Sequence, residues 1–358
     1  MDPEDPITEL LTSYNELNPS AIDELDEEPS PLEFMRYVSR NTPFVIRGGA
    51  QDWRATQQWN ASYLRSALAG HAVNVAVTPF GNADAPTLYE SEGGSGSGSE
   101  NGNGDGDTGE NLLFAKPHEE DQTFENFLDY VIRQEKEEKG EQGEVRYAQT
   151  QNDNLRHEYI SLFSQVQQSV AFARIALQKD PDAINLWIGN SRSVTALHRD
   201  NYENIYVQIA GQKHFALLPA LFQPCVNERD LVPASYVRLP HRGKDGGDKD
   251  GDDAAVENGP LELRKDDDET TVPFAIWDPD DPTARATAYS HLAQPVRVTL
   301  NPGDMLYLPA MWYHKVSQSC SEDGICVAAN YWYDMEFGGP LYSLCSFVRN
   351  VGLAQQKK

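Results

Sequence analysis

Two stretches of this chain hold residues of the types and spacing that metal chemistry uses. In Ser193-Val-Thr-Ala-Leu-His-Arg-Asp-Asn-Tyr-Glu-Asn-Ile-Tyr-Val-Gln-Ile-Ala-Gly-Gln-Lys-His-Phe215, His198 and Asp200 are two positions apart. On a strand that puts both side chains on one face. An imidazole beside a carboxylate supplies two members of the two-His, one-carboxylate set that holds non-haem Fe(II). Alone, such a pair is common on metal-free surfaces; its surroundings add weight. Asn204, Tyr206 and Gln208 alternate with Ile205, Val207 and Ile209, and a polar face carrying Asn and Tyr rather than Lys or Glu reads as a pocket lining. Lys213 follows the Ala210-Gly211 turn on an apolar strand with Phe215, Leu217 and Leu218, where a charge needs a partner. A bound carboxylate would serve; a lysine reaching solvent from a strand end would need none. The second stretch opens with Asn301-Pro-Gly-Asp304, whose Pro and Gly stand where a type II turn wants them. The apolar aromatic run Met305–Ser317 follows and holds one histidine, His314. Its reading as a third ligand, rather than a hydrogen-bonded core residue, rests on the upstream pair.

Strands must carry these groups. From Arg146 onward strand-like runs dominate: Tyr147–Thr150, Asn185–Ile188, Glu203–Ile209, Lys213–Leu218, Val296–Leu300, Met305–Leu308 and Ile325–Tyr333. Short strands separated by turn signals predict an antiparallel sandwich or barrel. Before them, Ile7, Leu10, Leu11, Tyr14 and Leu17 recur at helical spacing, as do Leu32, Met35 and Val38 after Pro31. Short strands are expected at Pro43–Arg47 and Val73–Thr78, helices at Ser62–Leu68 and around Phe124–Val131, and a closing helix over Pro340–Val351. The reading is thus mainly β with flanking helices.

The net charge of −27 is concentrated. Residues 1–30 hold ten acids and no base, residues 90–112 six acids and no base, and residues 241–270 eleven acids against five bases. The remaining body is nearly balanced and shows no basic stripe suited to phosphates, which argues against direct nucleic-acid binding. Ser91–Glu110 and Arg242–Thr271 are too polar and charged to offset the entropy of ordering, so they read as structureless insertions, spanning about 90–112 and 241–271, in one domain. No apolar run approaches a membrane span. Cys225, Cys320, Cys326 and Cys345 include no C-x-x-C pair, which fits a reducing intracellular compartment, cytoplasmic or nuclear.

H-R-D at 198–200, E-N-I-Y at 203–206, G-Q-K-H-F at 211–215 and the run from Asn301 to His314 resemble the jumonji-C domain of the cupin-type 2-oxoglutarate oxygenases. P-L-E-F-M-R-Y-V at 31–38, P-F-V-I-R-G-G at 43–49 and A-N-Y-W-Y-D-M-E-F at 329–337 narrow the resemblance to the small lysyl-hydroxylating members. It covers roughly residues 31–350 and implies a double-stranded β-helix, or jelly roll, preceded by an acidic helical segment (1–30) and followed by a tail (351–358). It also implies that His198, Asp200 and His314 bind Fe(II) and form the catalytic centre, with room left for 2-oxoglutarate and O2. Lys213 would pair with the distal carboxylate of 2-oxoglutarate; Tyr147, Thr195, Asn204 and Tyr206 would help hold that cosubstrate, and Asn330 would line the metal pocket. The implied reaction is (3S)-hydroxylation of a lysine in a protein, inherited as a developmentally regulated GTP-binding protein. Asp334 and Glu336 are candidates to receive the ammonium. Demethylation of Nε-methyl-lysine in histones or other proteins, and a cupin that binds partners without catalysis, are the alternatives. No Ser-His-Asp, Cys-His or H-E-x-x-H arrangement supports a peptidase. The apolar positions Leu341, Leu344, Phe347 and Val348 of the closing helix leave a homodimer open.

Overall fold

The alternation read around His198 builds one sheet face toward helices and the other toward a second sheet. A computed structural model describes residues 5–89, 111–137, 143–240, 259–267 and 270–356. The amino-terminal part contains α1 (Pro6–Leu17), β1 (Asp23–Leu25), α2 (Pro31–Arg40), β2 (Phe44–Ile46), α3 (Arg54–Gln58) and α4 (Ala61–Ala67). Next come β3 (Ala72–Thr78), β4 (Ala85–Leu88), β5 (Leu112–Lys116), β6 (His118–Thr123), α5 (Phe124–Lys136), β7 (Val145–Tyr147), α6 (Ile160–Phe163) and α7 (Ala171–Leu177). The carboxy-terminal part holds β8 (Ala183–Gly189), β9 (Thr195–Arg199), β10 (Tyr202–Ala210), β11 (Gln212–Leu218), β12 (Glu228–Arg238), β13 (Leu261–Lys265) and β14 (Val272–Ala275). It continues through β15 (Val296–Leu300), β16 (Met305–Leu308), β17 (Tyr313–Ser319), β18 (Cys326–Asp334) and α8 (Pro340–Gln356).

Two sheets form the core: β1-β2-β16-β10-β18-β8 and β15-β11-β17-β9. Apart from the added β1 and β2, each contains four strands taken alternately from the chain, all antiparallel to their neighbours. That is the jelly roll, a sandwich of two Greek keys, and the expected fold class holds. The sharp turns are local chemistry. Gly211, between β10 and β11, has φ +69°, and a Cβ there would lie 2.5 Å from the Ser319 carbonyl oxygen. Gly303 has φ +92°, and Asp304 N–H donates to the Asn301 carbonyl at 2.9 Å, as the Pro-Gly turn predicts.

Ile205, Val207, Tyr331 and Tyr307 on the outer face of the larger sheet pack against Phe34, Phe172, Phe127 and Leu128 of the helices. The inner faces meet through Tyr147, Tyr206, Phe215, Leu217, Val298, Leu306 and Val316. α2 starts with a full capping box, Ser30 and Glu33 exchanging hydrogen bonds, after which Pro31 fixes the first turn.

Three expectations change. Residues 261–265, placed in the second structureless insertion, form β13 and pair with β12 from Ala234 to Arg238; Leu261 and Leu263 alternate with charged residues there, a period-2 pattern outweighed by the acid-rich composition around it. Residues 351–356, read as tail, continue α8. The amino-terminal segment is not only helical: Asp23–Leu25 pairs in parallel with β2. Most of both insertions, 90–110, 241–258 and 268–269, lies outside the described residues. No helix among the described residues is long and apolar enough to cross a membrane.

Candidate metal centre

β9 and β17 pair directly, with His198 opposite His314, so two imidazoles from distant parts of the sequence sit side by side on the inner face, ring centroids 4.1 Å apart. Asp200, just beyond β9, places Oδ2 3.7 Å from Nε2 of both histidines. The three ligand atoms lie within 4.8 Å of one another. Each ring is oriented by its own backbone: His198 Nδ1–H donates to the Ala196 carbonyl at 2.8 Å, and His314 Nδ1–H to the Trp312 carbonyl at 3.0 Å. That fixes the tautomer and leaves both Nε2 lone pairs facing the carboxylate. Burial, reinforced by the neighbouring His198, pulls His314 down to about 4, so near neutrality it is an unprotonated ligand. Two imidazoles and one carboxylate on one side of an open position suit a divalent transition metal such as Fe(II).

Thr195 precedes His198 by an odd number of residues, which in a regular strand would turn it away. The ladder shifts between these positions: Val316 pairs with Thr195 while His314 pairs with His198, so three residues of β9 span two of β17. This bulge returns Thr195 to the inner face.

Lys213 lies deeper between the sheets. It is 2 % exposed and faces inward on β11, four residues (roughly 13 Å of strand) from Leu217, which pairs with His314. Its ammonium donates to the Tyr147 hydroxyl at 2.9 Å and to Gln318 Oε1 at 3.1 Å, and lies over the Tyr147 and Tyr206 rings. No carboxylate pairs with it among the described residues. The Tyr147 ring can reach it because residue 189 is glycine; a Cβ there would come within 2.5 Å of that ring. Burial pushes the Tyr147 phenol well above its usual range, so it remains a hydroxyl. A buried cation held only by neutral acceptors suits the distal carboxylate of a dicarboxylic acid.

Asn204, Tyr206 and Asn330 occupy the facing sheet, where Tyr206 pairs with Asn330 in register. Trp187 Nε1–H donates to Asn330 Oδ1 at 2.9 Å, and Asn330 Nδ2–H donates to Asn204 Oδ1 at 3.1 Å, forming a chain of buried polar groups on the inner wall. The nine residues read as metal or cosubstrate contacts therefore all come to the inter-sheet space. Sequence reasoning missed Gln318, Trp187 and Gly189. Gln318 was recoverable, since it lies four positions after His314 and so shares its face on a strand. Asp334 is exposed at the end of β18 and, with Glu336, lines a groove beside Met35, Lys179 and Leu344.

A family model described as a cupin-like domain matches residues 29–339. The chain is 35% identical over 321 residues to the human bifunctional peptidase and (3S)-lysyl hydroxylase JMJD7, covering 89% of this chain and 86% of that protein. It is 34% identical over 326 residues to the Arabidopsis thaliana lysine-specific demethylase JMJ32, covering 88% and 82%. It is 32% identical over 326 residues to the Dictyostelium discoideum JmjC domain-containing protein E, covering 87% and 84%.

Proposed function

This chain belongs to the cupin-like JmjC family of 2-oxoglutarate oxygenases, and from that premise we propose that it is a protein lysyl hydroxylase. The observation that carries the oxygenase reading is the pairing of the His198–Asp200–His314 cluster with a buried lysine deeper in the same inter-sheet space. His198, Asp200 and His314 would hold Fe(II). Lys213, backed by Tyr147 and Gln318, would hold the far carboxylate of 2-oxoglutarate, with Thr195, Asn204 and Tyr206 lining the path between. When bound, the metal would bring 2-oxoglutarate and O2 together, O2 being the oxidant that turns a substrate C–H into C–OH while 2-oxoglutarate is oxidatively decarboxylated to succinate and CO2. The chain's own part is to bind, orient and exclude water: apolar Phe215, Val298 and Val316 close the inter-sheet space, and the fixed histidine tautomers leave no free proton donor among the three ligands.

The lysyl specificity is supported by the likeness to the human hydroxylase, and a GTP-binding protein of the developmentally regulated type is the substrate we propose. The name of the Arabidopsis relative favours a second reading on the same site, demethylation of Nε-methyl-lysine. The peptidase half of the human protein's name is not extended to this chain: its cysteines are unpaired, three of the four are buried, and burial raises the Cys225, Cys320, Cys326 and Cys345 thiols, the reverse of an activated nucleophile. Those free thiols suit the reducing intracellular compartment we propose. Incubating the full chain with Fe(II), 2-oxoglutarate and such a GTP-binding protein should add one oxygen atom to a lysine, read by tandem mass spectrometry. Formaldehyde release from a methyl-lysine peptide, with no oxygen gained by lysine, would replace this reading with the second.

A further inference from the structure

We propose that Asp84 is the specificity-determining residue that receives the ammonium of the target lysine; this rests on the lysyl-directed reading above. Asp84 lies in the loop between β3 and β4, outside every motif that marked the site. That loop is clamped beside the metal-bearing strand: Val194 N–H donates to the Gly81 carbonyl at 2.8 Å just before β9, and Gly81 packs so closely on the Arg192 carbonyl that a Cβ would lie 2.0 Å from its oxygen. β4 itself lies against β9. Asp84 has φ +52°, a left-handed conformation that Asp tolerates better than most residues but that is adopted where surroundings impose it.

Gln149 aims the carboxylate, its Nε2–H donating to Asp84 Oδ2 at 3.3 Å. Gln149 is two residues beyond Tyr147, so in extended chain both side chains face the same way. One wall therefore carries two charges in sequence: the Lys213 ammonium deep, touched by Tyr147, and the Asp84 carboxylate nearer the opening, touched by Gln149. The Asp84 carboxyl also lies within electrostatic range of the His198 ring. A substrate that offers a carbon to a metal at His198 and carries a cation beyond that carbon would bring the cation here.

Among the described residues no lysine or arginine lies within ion-pair distance of Asp84; Lys116, which acts on it from farther off, is paired with Asp266. Burial is the largest influence on the carboxyl and holds it above the usual range, and an arriving ammonium would reverse that shift. Asp334 is the weaker candidate, because it is exposed and its backbone carbonyl already accepts from Lys179.

The test uses the full chain loaded with Mn(II) and 2-oxoglutarate, and three fluorescent peptide pools of identical flanks centred on lysine, Nε-dimethyl-lysine or norleucine. Fluorescence anisotropy should show the wild type binding both cationic pools at least tenfold more tightly than the norleucine pool. Asp84→Asn should reduce that preference to within about twofold, Asp84→Glu should keep part of it, and Gln149→Leu should fall between. Melting curves check that each variant is folded, and Gln149→Leu carries the test if Asp84→Asn is not. A folded Asp84→Asn that keeps the tenfold preference, or a wild type with none, overturns the assignment. Because the readout is binding to either cation, loss of the hydroxylase reading to demethylation would leave this result standing on its own.

Discussion

At the scale of single residues, the centre combines groups whose burial serves opposite ends. His198 and Asp200 have side chains 25 % and 26 % exposed, so neither anchors the core. His198→Ala or Asp200→Ala should abolish 2-oxoglutarate turnover and metal uptake while the melting temperature moves by only a few degrees; turnover retained in either purified variant would remove the metal assignment. Lys213 differs. It is a buried cation without a carboxylate of its own among the described residues, and such a charge stabilises nothing until a ligand completes it. Lys213→Met keeps the volume and removes the charge. In the ligand-free protein the melting temperature should stay level or rise. The requirement for 2-oxoglutarate should increase at least tenfold, as expected when truncating one partner of a buried charge pair costs about 2–5 kcal/mol, and metal uptake without cosubstrate should be unchanged. Overlapping 2-oxoglutarate titrations for wild type and variant would move Lys213 out of the site. Lys213→Arg should also fail in part, because a planar fork does not replace a compact ammonium between Tyr147 and Gln318.

At the scale of elements, what was legible was what has a period. Alternation of Asn204, Tyr206 and Gln208 with Ile205, Val207 and Ile209 located β10 and told its two faces apart, and the Pro-Gly turn placed β16. The bulge in β9 was not legible, because one extra residue in a five-residue strand leaves no composition signal, and only its pairing with β17 shows why Thr195 faces inward. Asp84 was invisible for a related reason: an Asp after Gly81-Asn-Ala reads as turn chemistry, and its relation to His198 exists only once β4 is laid on β9. β13 was hidden by the acid-rich residues on either side of it. The first insertion shows the value of knowing the ladder. Leu88 of β4 pairs with Leu112 of β5, and Tyr89 N–H donates to the Asn111 carbonyl at 2.9 Å, so residues 91–110 join two chain ends already held side by side. Replacing them by a short Gly-Ser turn should leave both melting temperature and turnover nearly unchanged, since closure entropy varies slowly with loop length. A fall of many degrees would show that the segment contributes packing that its composition does not suggest.

At the scale of the whole molecule, the jelly roll is extended at its edges by the chain's own terminal segments. The amino-terminal segment is rich in acids, yet the apolar positions among them follow a helical period, and that period governs. Ile7 and Leu11 of α1 are buried with Leu218, Phe222 and Val348, so the first helix, the stretch after β11 and the last helix share one cluster. Asn15 Nδ2–H donates to the Leu292 carbonyl at 3.0 Å, and Gln355 of α8 donates to Asp5 at 3.0 Å. The next link is β1, which pairs with β2 and so lengthens the larger sheet; Arg47, at the end of β2, joins Glu24 of β1 to Asp304 of the turn before β16. That turn sets the strand running toward Pro309 and, through it, His314. Removing residues 1–25 should therefore act in two ways. It exposes the apolar cluster under α8, and it leaves Arg47 with one carboxylate instead of two. A single Leu11→Ala change, a large-to-small substitution at a fully buried position, should cost about 2–5 kcal/mol, while Glu24→Gln at the half-exposed rim should cost about 1 kcal/mol or less. The truncated chain should melt well below the full chain and lose turnover only where it unfolds, so that activity at low temperature tracks the folded fraction read by circular dichroism. If the truncated chain melts like the full one, α1 is solvated tail after all, and the acidic composition, not the helical period, was the better guide to that segment.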